Sequence, residues 1–284
     1  GQDIGFKVNA GVSSNKGWSK GATVYSRAGM MDALISGNWV KESEYKAGNG
    51  YKIKNSALGQ RGLLAKVGAD LNEDHRIELS HRQERHYGVR ALREEFDFAQ
   101  DNNEANNAPR YRITTNDTSK IEWTGKNMGL ISNAKANVWR SVISREEPSE
   151  RSRTRLIANG ANVNLDSPIG ESHLIKYGVN YRDQEGKPNS LTVQNGVQMK
   201  SQKKREVGVY TEGIWGLGAF TLTTGLRYDH FNFRAMDGSK SKKGSVNPSI
   251  GLIYEVTNDL SLNTSLNYAT RSPRFHEIML SSGE

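Results

Sequence analysis

The chain of 284 residues contains no cysteine and no long hydrophobic run. Without cysteine, the protein has no disulfide framework, no thiol nucleophile and no thiolate metal site. No stretch of about 18 consecutive apolar residues occurs, so the sequence predicts no transmembrane helix. The start also lacks a basic segment followed by an apolar one, as in a signal peptide, which predicts a mature protein or an internal fragment.

The mean hydropathy and the distribution of glycine and aromatic residues favour different classes of protein. The mean hydropathy of −0.71 is typical of a soluble or disordered chain. Disorder fits poorly, however, because 29 Gly, 11 Tyr, 7 Phe and 5 Trp are spread through regularly patterned segments. A transmembrane β-barrel would reconcile the two observations, because only every second strand residue meets lipid in such a barrel.

The net charge of +8 is compatible with nucleic acid, anionic lipid or an anionic ligand as a partner, or with an ordinary solvated surface. The sequence contains no stacking-aromatic RNA motif, no zinc finger and no helix-turn-helix pattern. We therefore expect no nucleic-acid partner.

The dominant pattern is strict alternation of apolar and polar residues, which is typical of strands with one apolar face. Leu260, Leu262 and Leu266 alternate with Ser261 and Asn263, for example. No helical stripe competes with this pattern. We expect about thirteen strands, at roughly 3–12, 17–27, 31–42, 59–70, 76–86, 109–124, 127–146, 152–166, 172–184, 203–216, 219–235, 243–257 and 260–271.

The links between these strands alternate in length. Short turns are predicted at 28–29, 72–74, 125–127, 167–170, 216–218 and 257–259, with longer links at 43–58, 87–108, 147–151, 185–202 and 236–242. Outer-membrane barrels have tight periplasmic turns and long extracellular loops. Trp215, Phe220 and Tyr254 flank two of the short turns, as interfacial aromatic residues do. The polar strand faces would then line the lumen.

Three segments carry a family resemblance. They read FTLTTGLRYDHF from Phe220, NPSIGLIYEV from Asn247 and LSLNTSLNYATRSPRFHE from Leu260. They resemble the barrel of TonB-dependent receptors. IKYGVNYRDQEGKP from Ile175, LREEFDF from Leu92 and the opening GFKVNAGVSSNKGWSKGATVYSRAG are similar to the FrpB/FetA-like, iron-regulated branch.

The resemblance implies an all-β protein of the bacterial outer membrane, a 22-stranded antiparallel barrel around a plug, energised by the TonB–ExbB–ExbD complex. Residues 1–284 would form one partial barrel domain with about thirteen of those strands. The plug, the TonB-box segment and the C-terminal strands would lie outside the sequence given.

The implied activity is uptake of a ferric siderophore, with no catalytic residue and no covalent cofactor. Anionic catecholates suit cationic and aromatic side chains. The candidate binding residues are Arg85, Tyr87, Arg90, Arg93, Arg110, Tyr111, Arg271, Arg274, Phe275 and His276. Alternatively, these residues are solvated or pair with neighbouring glutamates such as Glu94 and Glu146.

Other functions stay open at this point. His276 follows a segment resembling a motif of haem receptors, and a neutral imidazole can bind haem iron or nickel. It can equally be a solvated loop histidine. A passive porin or a surface-exposed structural β-protein such as an adhesin would also fit the strands. An enzyme is not expected, because no nucleophile elbow or phosphate-binding loop occurs.

Overall fold

The computed structural model describes residues 2–12, 17–42, 58–90, 110–147, 152–187, 193–194, 197–198 and 201–268. Thirteen long strands and a small hairpin account for almost all of them. The strands are β1 Gln2–Val12, β2 Trp18–Ala28, β3 Met31–Glu42, β4 Leu58–Asp70, β5 His75–Arg90, β6 Arg110–Met128, β7 Ile131–Glu147, β8 Ser152–Ile169, β9 His173–Lys187, β10 Val193–Gln194, β11 Val197–Gln198, β12 Gln202–Leu217, β13 Phe220–Arg234, β14 Lys240–Thr257 and β15 Leu260–Asn267.

The long strands form a single antiparallel sheet in chain order, in which β9 pairs with β12 and the hairpin β10–β11 stands apart. The prediction of an all-β fold with about thirteen strands is therefore confirmed. β1 and β15 are not paired with each other in the described residues, so the sheet is an open section of a barrel wall. Within the described ranges, the structure has no helix that could cross a membrane.

Short and long links alternate along the sheet, as predicted. Two to four residues connect the strands at one end, which we call the short-turn end: 29–30, 71–74, 129–130, 170–172, 218–219 and 258–259. The other end is called the long-link end. Its connections span 13–17, 43–57, 91–109, 148–151, 188–201 and 235–239.

Several turns lie further along the chain than predicted. β6 continues through the predicted turn at 125–127, β8 through most of the one at 167–170, and β12 to Leu217. The turns begin instead at Gly129, Gly170 and Gly218, where φ is between 61° and 69°. Glycine adopts this left-handed conformation without the steric cost of a Cβ atom, so these glycines fix where each strand reverses.

Alternation gives the sheet two different faces. Cross-strand partners Leu222 and Leu252, and in turn Thr264, share one face, which we call the apolar face. Large exposed hydrophobic side chains crowd this face, including Ile35, Val138 and Leu266. Their neighbours in sequence occupy the polar face. A single layer buries few side chains, so the apolar face needs another apolar phase against it.

Aromatic residues border the apolar face near the short turns. His75 stacks on Trp123 at a centroid distance of 5.8 Å, and His173 contacts Trp215 at 5.4 Å. The predicted aromatic border includes Trp215, Phe220 and Tyr254, and the last two stack at 4.5 Å. Amphipathic rings at this level are typical of a membrane interface.

A second aromatic border lies nearer the long links. The Lys20 ammonium is 5.0 Å from the Trp18 ring and 5.8 Å from the Trp39 ring on the apolar face. Trp39 is eight residues from the turn, or about 26 Å along an extended strand. Because barrel strands tilt relative to the membrane normal, the height of this span across the membrane is somewhat less than its length along the strand. The two aromatic borders therefore enclose a band close to the ~25 Å apolar height of a transmembrane barrel.

Candidate ligand-binding surface

Cationic and aromatic side chains meet on the polar face towards the long-link end. The Arg182 guanidinium lies 5.8 Å from the Trp139 ring, and the Lys204 ammonium lies 5.0 Å from the Phe231 ring. Closer to the middle of the sheet, Arg227 is 5.9 Å from the Tyr210 ring. These distances allow cation–π attraction. The three pairs lie on β7, β9, β12 and β13, and we call them the inner cation–aromatic surface.

Lys204 is held in place from two sides. Its Nζ is 2.9 Å from Glu206 Oε1 and also lies over the Phe231 ring, and its side chain is only 14% exposed. Phe231 stacks on Phe233 at 6.4 Å, and both rings are buried together with Ala235. This cluster is the main buried hydrophobic group in the described residues. The buried cluster therefore forms the apolar part of the inner cation–aromatic surface, on its β13 side.

The link 235–239 fixes the strand ends beside this cluster. The Ala235 N–H donates to the Ser239 carbonyl at 2.9 Å, and the Ser239 N–H donates to Asp237 Oδ1 at 2.8 Å. Hydrogen bonds from the Ser239 hydroxyl and backbone hold the pKa of Asp237 below its ordinary value. The turn is therefore ordered around an ionised aspartate, which keeps β13 and β14 in register.

A ladder of polar side chains crosses the middle of the same face. The Asn162 amide donates to Asn137 Oδ1 at 2.9 Å, and the Asn180 amide donates to Asn162 Oδ1 at 2.9 Å. Arg227 Nη1 then donates to Asn180 Oδ1 at 3.1 Å, and its Nε donates to the Asp229 carboxylate. The ladder joins five strands, counting β12 beneath Arg227, so it ties the surface laterally.

Charges at the short-turn end of the polar face are compensated. Arg76 makes a bidentate contact with Asp32 at 2.7 and 2.9 Å and also reaches Asp70 at 3.1 Å and Glu78 at 3.3 Å. Arg27 pairs with Asp70 at 3.1 Å. This group has no spare cation for an anionic ligand, and its role is to hold β2 to β5 together.

The structure places only two of the predicted binding residues in full. Arg85 and Tyr87 share the parity of Ile77 and Leu79, so they lie on the apolar-face side of β5 above the aromatic border. The Tyr87 ring covers Gly59 on the neighbouring strand. Neither side chain therefore belongs to the inner cation–aromatic surface, and any role in binding would be at the outer rim of the long-link end.

The remaining predicted residues are located partly or not at all. Arg90 and Arg110 are opposite each other where β5 and β6 pair, and Tyr111 is opposite Val89, but their side chains lie outside the description. The other candidates, Arg93, Arg271, Arg274, Phe275 and His276, fall outside the described residues. Their binding roles stay predictions.

Sequence reasoning missed the inner cation–aromatic surface because it searched the loops. Arg182, Lys204 and Phe231 stand within predicted strands, at positions of the polar parity. The alternation of apolar and polar residues predicts that these side chains lie on the polar face. It does not predict which cation contacts which ring, because Arg182 and Trp139 become neighbours only through the pairing of three strands.

The described residues contain no group of three histidine, aspartate or glutamate side chains placed to hold a metal ion. His81 and His86 lie on opposite faces of β5, as their spacing predicts. A ligand at this surface would thus be held by cations, rings and amides.

These features define a class of protein. A wide antiparallel sheet with one apolar face, two aromatic borders and a polar face is the wall of a transmembrane β-barrel. The description "TonB dependent receptor-like, beta-barrel" belongs to the family model that matches residues 9–283. The chain belongs to this family of TonB-dependent receptors, whose members are receptors and transporters rather than enzymes.

Solved FrpB structures bear out the predicted branch. The chain is similar to the FrpB iron transporter of Neisseria meningitidis (F3-3 variant), with 36% identity and a TM-score of 0.89 over 96% of this chain and 47% of that one. It is 23% identical over 281 residues to the heme/hemopexin utilization protein C of Haemophilus influenzae, covering 83% of this chain and 38% of that protein.

A mutant ferric enterobactin receptor of Pseudomonas aeruginosa shares the fold, with 13% identity and a TM-score of 0.66 over 96% of this chain and 45% of that one. The chain thus spans about half or less of these relatives. Receptor barrels such as FrpB are outer-membrane proteins. The apolar face accordingly meets outer-membrane lipid, and the polar face lines the barrel interior.

Proposed function

We propose that the receptor to which this chain contributes its barrel wall takes up a ferric siderophore, with a catecholate type favoured. The observation that carries the proposal is the inner cation–aromatic surface. Arg182, Lys204 and Arg227 each lie within 6 Å of an aromatic ring on the face that lines the interior. Lys204 already pairs with Glu206 and Arg227 with Asp229, so Arg182 is the cation of the three that is available to an anionic ligand. A ferric catecholate combines negative charge with flat rings, so both kinds of side chain would contact it favourably.

The proposed transport sequence begins at the long-link end. The ligand enters past loop candidates such as Arg90, Arg93 and Arg274 and lodges against the inner cation–aromatic surface. A plug domain then rearranges under force from the TonB–ExbB–ExbD complex, and the ligand passes into the periplasm. The plug and its coupling follow from the family, and this chain contributes the charged, polar wall that the ligand passes.

The test uses the full-length receptor and a ferric catecholate. Arg182→Gln keeps the size and polarity of the side chain but removes its charge beside Trp139. We expect affinity to fall roughly tenfold, the loss typical of one desolvated cation–π and charge contact. Arg140→Gln is the matched control, because Arg140 is exposed on the opposite face of β7. Uptake by the control should equal that of the unmodified receptor.

Competition between ligands tests the proposal that the receptor takes up a ferric catecholate siderophore. Ferric catecholate should compete for uptake against a labelled catecholate, whereas haem and nickel should not. If ferric catecholates neither bind nor support iron-limited growth, the siderophore proposal is wrong.

Haem or nickel uptake is the second candidate. It is supported by the similarity to a heme/hemopexin utilization protein and by the sequence around His276. Under this alternative, His276→Ala should abolish uptake of haem or nickel and leave siderophore uptake nearly intact. No effect of His276→Ala on any of these ligands would remove the alternative.

A further inference from the structure

Charged residues are distributed unevenly on the lipid side of β9, β12, β13 and β14. From the short turns up to the row formed by Val179, Val209, Tyr228 and Val246, this side of the four strands carries no Asp, Glu, Lys or Arg. Above that row, the same parity becomes strongly basic. The first cations above it, Arg205 and Lys242, lie in the row of Asn232, four residues beyond Tyr228 or roughly 13 Å along the strand.

Five cations form a compact group above this boundary, which we call the basic outer patch. Arg234 on β13 is opposite Lys203 on one side and Lys240 on the other. One row nearer the membrane, Asn232 lies between Arg205 and Lys242. Like charges directly opposite each other on a sheet repel, so this arrangement is destabilising unless an anion lies among them.

The protein compensates only part of this charge. Asp183 lies opposite Arg205 and Glu185 lies opposite Lys203, so two carboxylates stand against five cations, and both also accept hydrogen bonds from neutral groups. Asp183 accepts from Asn159 at 3.0 Å and Tyr181 at 2.9 Å, and Glu185 accepts from the Ser201 hydroxyl at 2.9 Å.

The lysines themselves have no protein partner. Within the part of the chain that the structure describes, the side chains of Lys203, Lys240 and Lys242 make no ion pair or hydrogen bond. Arg234 donates to the Ser201 carbonyl at 3.0 Å, and its buried Nε has no acceptor. Positive charge is therefore in excess across the whole basic outer patch.

The shape also suits a ligand. The patch residues line a groove of about 440 Å³ together with Asp183 and Asn232. Below this groove, past one row that holds Val207 and His230, begins the apolar surface of Val209, Tyr228 and Val246, which faces acyl chains. The groove is thus at the height where lipid headgroups lie.

We propose that the basic outer patch binds the phosphate groups of an anionic lipid of the outer leaflet, with its acyl chains along Val209, Tyr228 and Val246. Continuity with the apolar band favours a lipid over a free anion, because both parts of the molecule find a matching surface. Lysine and arginine near a membrane surface each attract anionic lipid, and this attraction fades within a Debye length. The site lies outside the barrel and is independent of the transported ligand.

The experiment measures binding of bisphosphorylated lipid A to the full-length receptor in a neutral detergent. In the triple variant Lys203→Ser, Lys240→Ser, Lys242→Ser, we expect affinity to fall on the order of 100-fold, since each basic residue at a membrane surface contributes about fivefold. Binding to the unmodified receptor should weaken as sodium chloride is raised.

A matched control removes three lysines from elsewhere. Lys7 and Lys176 lie on the polar face, and Lys126 lies beside a short turn, so their triple replacement by serine should leave lipid A binding unchanged. Equal losses in the two triple variants would overturn the proposal, as would equal binding of lipid A without its phosphates. Competition by inorganic phosphate at the same concentration as lipid A would show an anion site and overturn the lipid assignment.

Discussion

The Arg227 side chain passes directly over Gly208, crossing β12 to donate a hydrogen bond to Asn180 on β9 at 3.1 Å. A Cβ atom on Gly208 would overlap both the Arg227 guanidinium and the Asp229 carboxylate. The absence of a side chain at this one position therefore allows the polar ladder to continue across three strands.

Replacing Gly208 by alanine should break this crossing. The methyl group would displace Arg227 and leave Asn180 without its charged donor, and we expect a loss of about 1–3 kcal/mol in unfolding free energy. Urea unfolding of the receptor in lipid measures the effect. Gly186→Ala is the control, because a Cβ atom there meets nothing within 4 Å. An equal loss in both variants would contradict the proposed role of Gly208.

The apolar face should reject charge far more strongly than the polar face. Ile250 is 51% exposed on the apolar face, whereas adjacent Ser249 faces Gly225 on the other side. We expect Ile250→Arg to cost about 2–4 kcal/mol of folding free energy in a phospholipid bilayer. Ser249→Arg carries the same new side chain into the interior and should cost clearly less. If both replacements have equal costs, the assignment of the two faces is wrong.

These 284 residues contain no cysteine, so a cysteine introduced here is a unique label within this part of the receptor. We expect a fluorophore at Leu262→Cys to be quenched by brominated lipid, because Leu262 is 58% exposed on the apolar face of β15. The same fluorophore at Asn263→Cys, on the opposite face, should respond to aqueous quenchers instead. The reverse pattern would place lipid against the polar face.

The Arg76 ion group should stabilise the short-turn end. Arg76→Gln leaves Asp32, Asp70 and Glu78 without their shared cation, and we expect a loss of about 1–3 kcal/mol. Thermal or urea unfolding measures it. Arg82→Gln serves for comparison, since Arg82 is 59% exposed and, among the described residues, its one ion pair is a long contact with Glu84 at 3.9 Å. That variant should change stability by less than about 0.5 kcal/mol.

Alternation along the chain was sufficient to predict most of the sheet. The bounds of β3 agree residue for residue, and the two faces of β15 were assigned correctly from Leu260, Leu262 and Leu266. The turns were less predictable, because a sequence does not tell which glycine will take a positive φ. Gly125 lies within β6, and Gly129 makes the turn.

The candidate site was harder to predict than the sheet. Arg85 was proposed as a ligand contact, although its parity with Leu79 already places it on the apolar-face side. The contact between Arg182 and Trp139 depends on the alignment of β7, β8 and β9, which no local pattern specifies. A binding site whose side chains come from several strands can therefore be predicted only when the register of those strands is known.

Each long strand pairs only with its neighbours in the sheet, and the long links all leave from one end. Their sequences are therefore mechanically separate from the hydrogen-bonded wall. Insertions, deletions or exchange of whole segments at that end would alter what the cell displays to its surroundings without disturbing the scaffold. A receptor built in this way can vary its outer surface and keep its barrel wall intact.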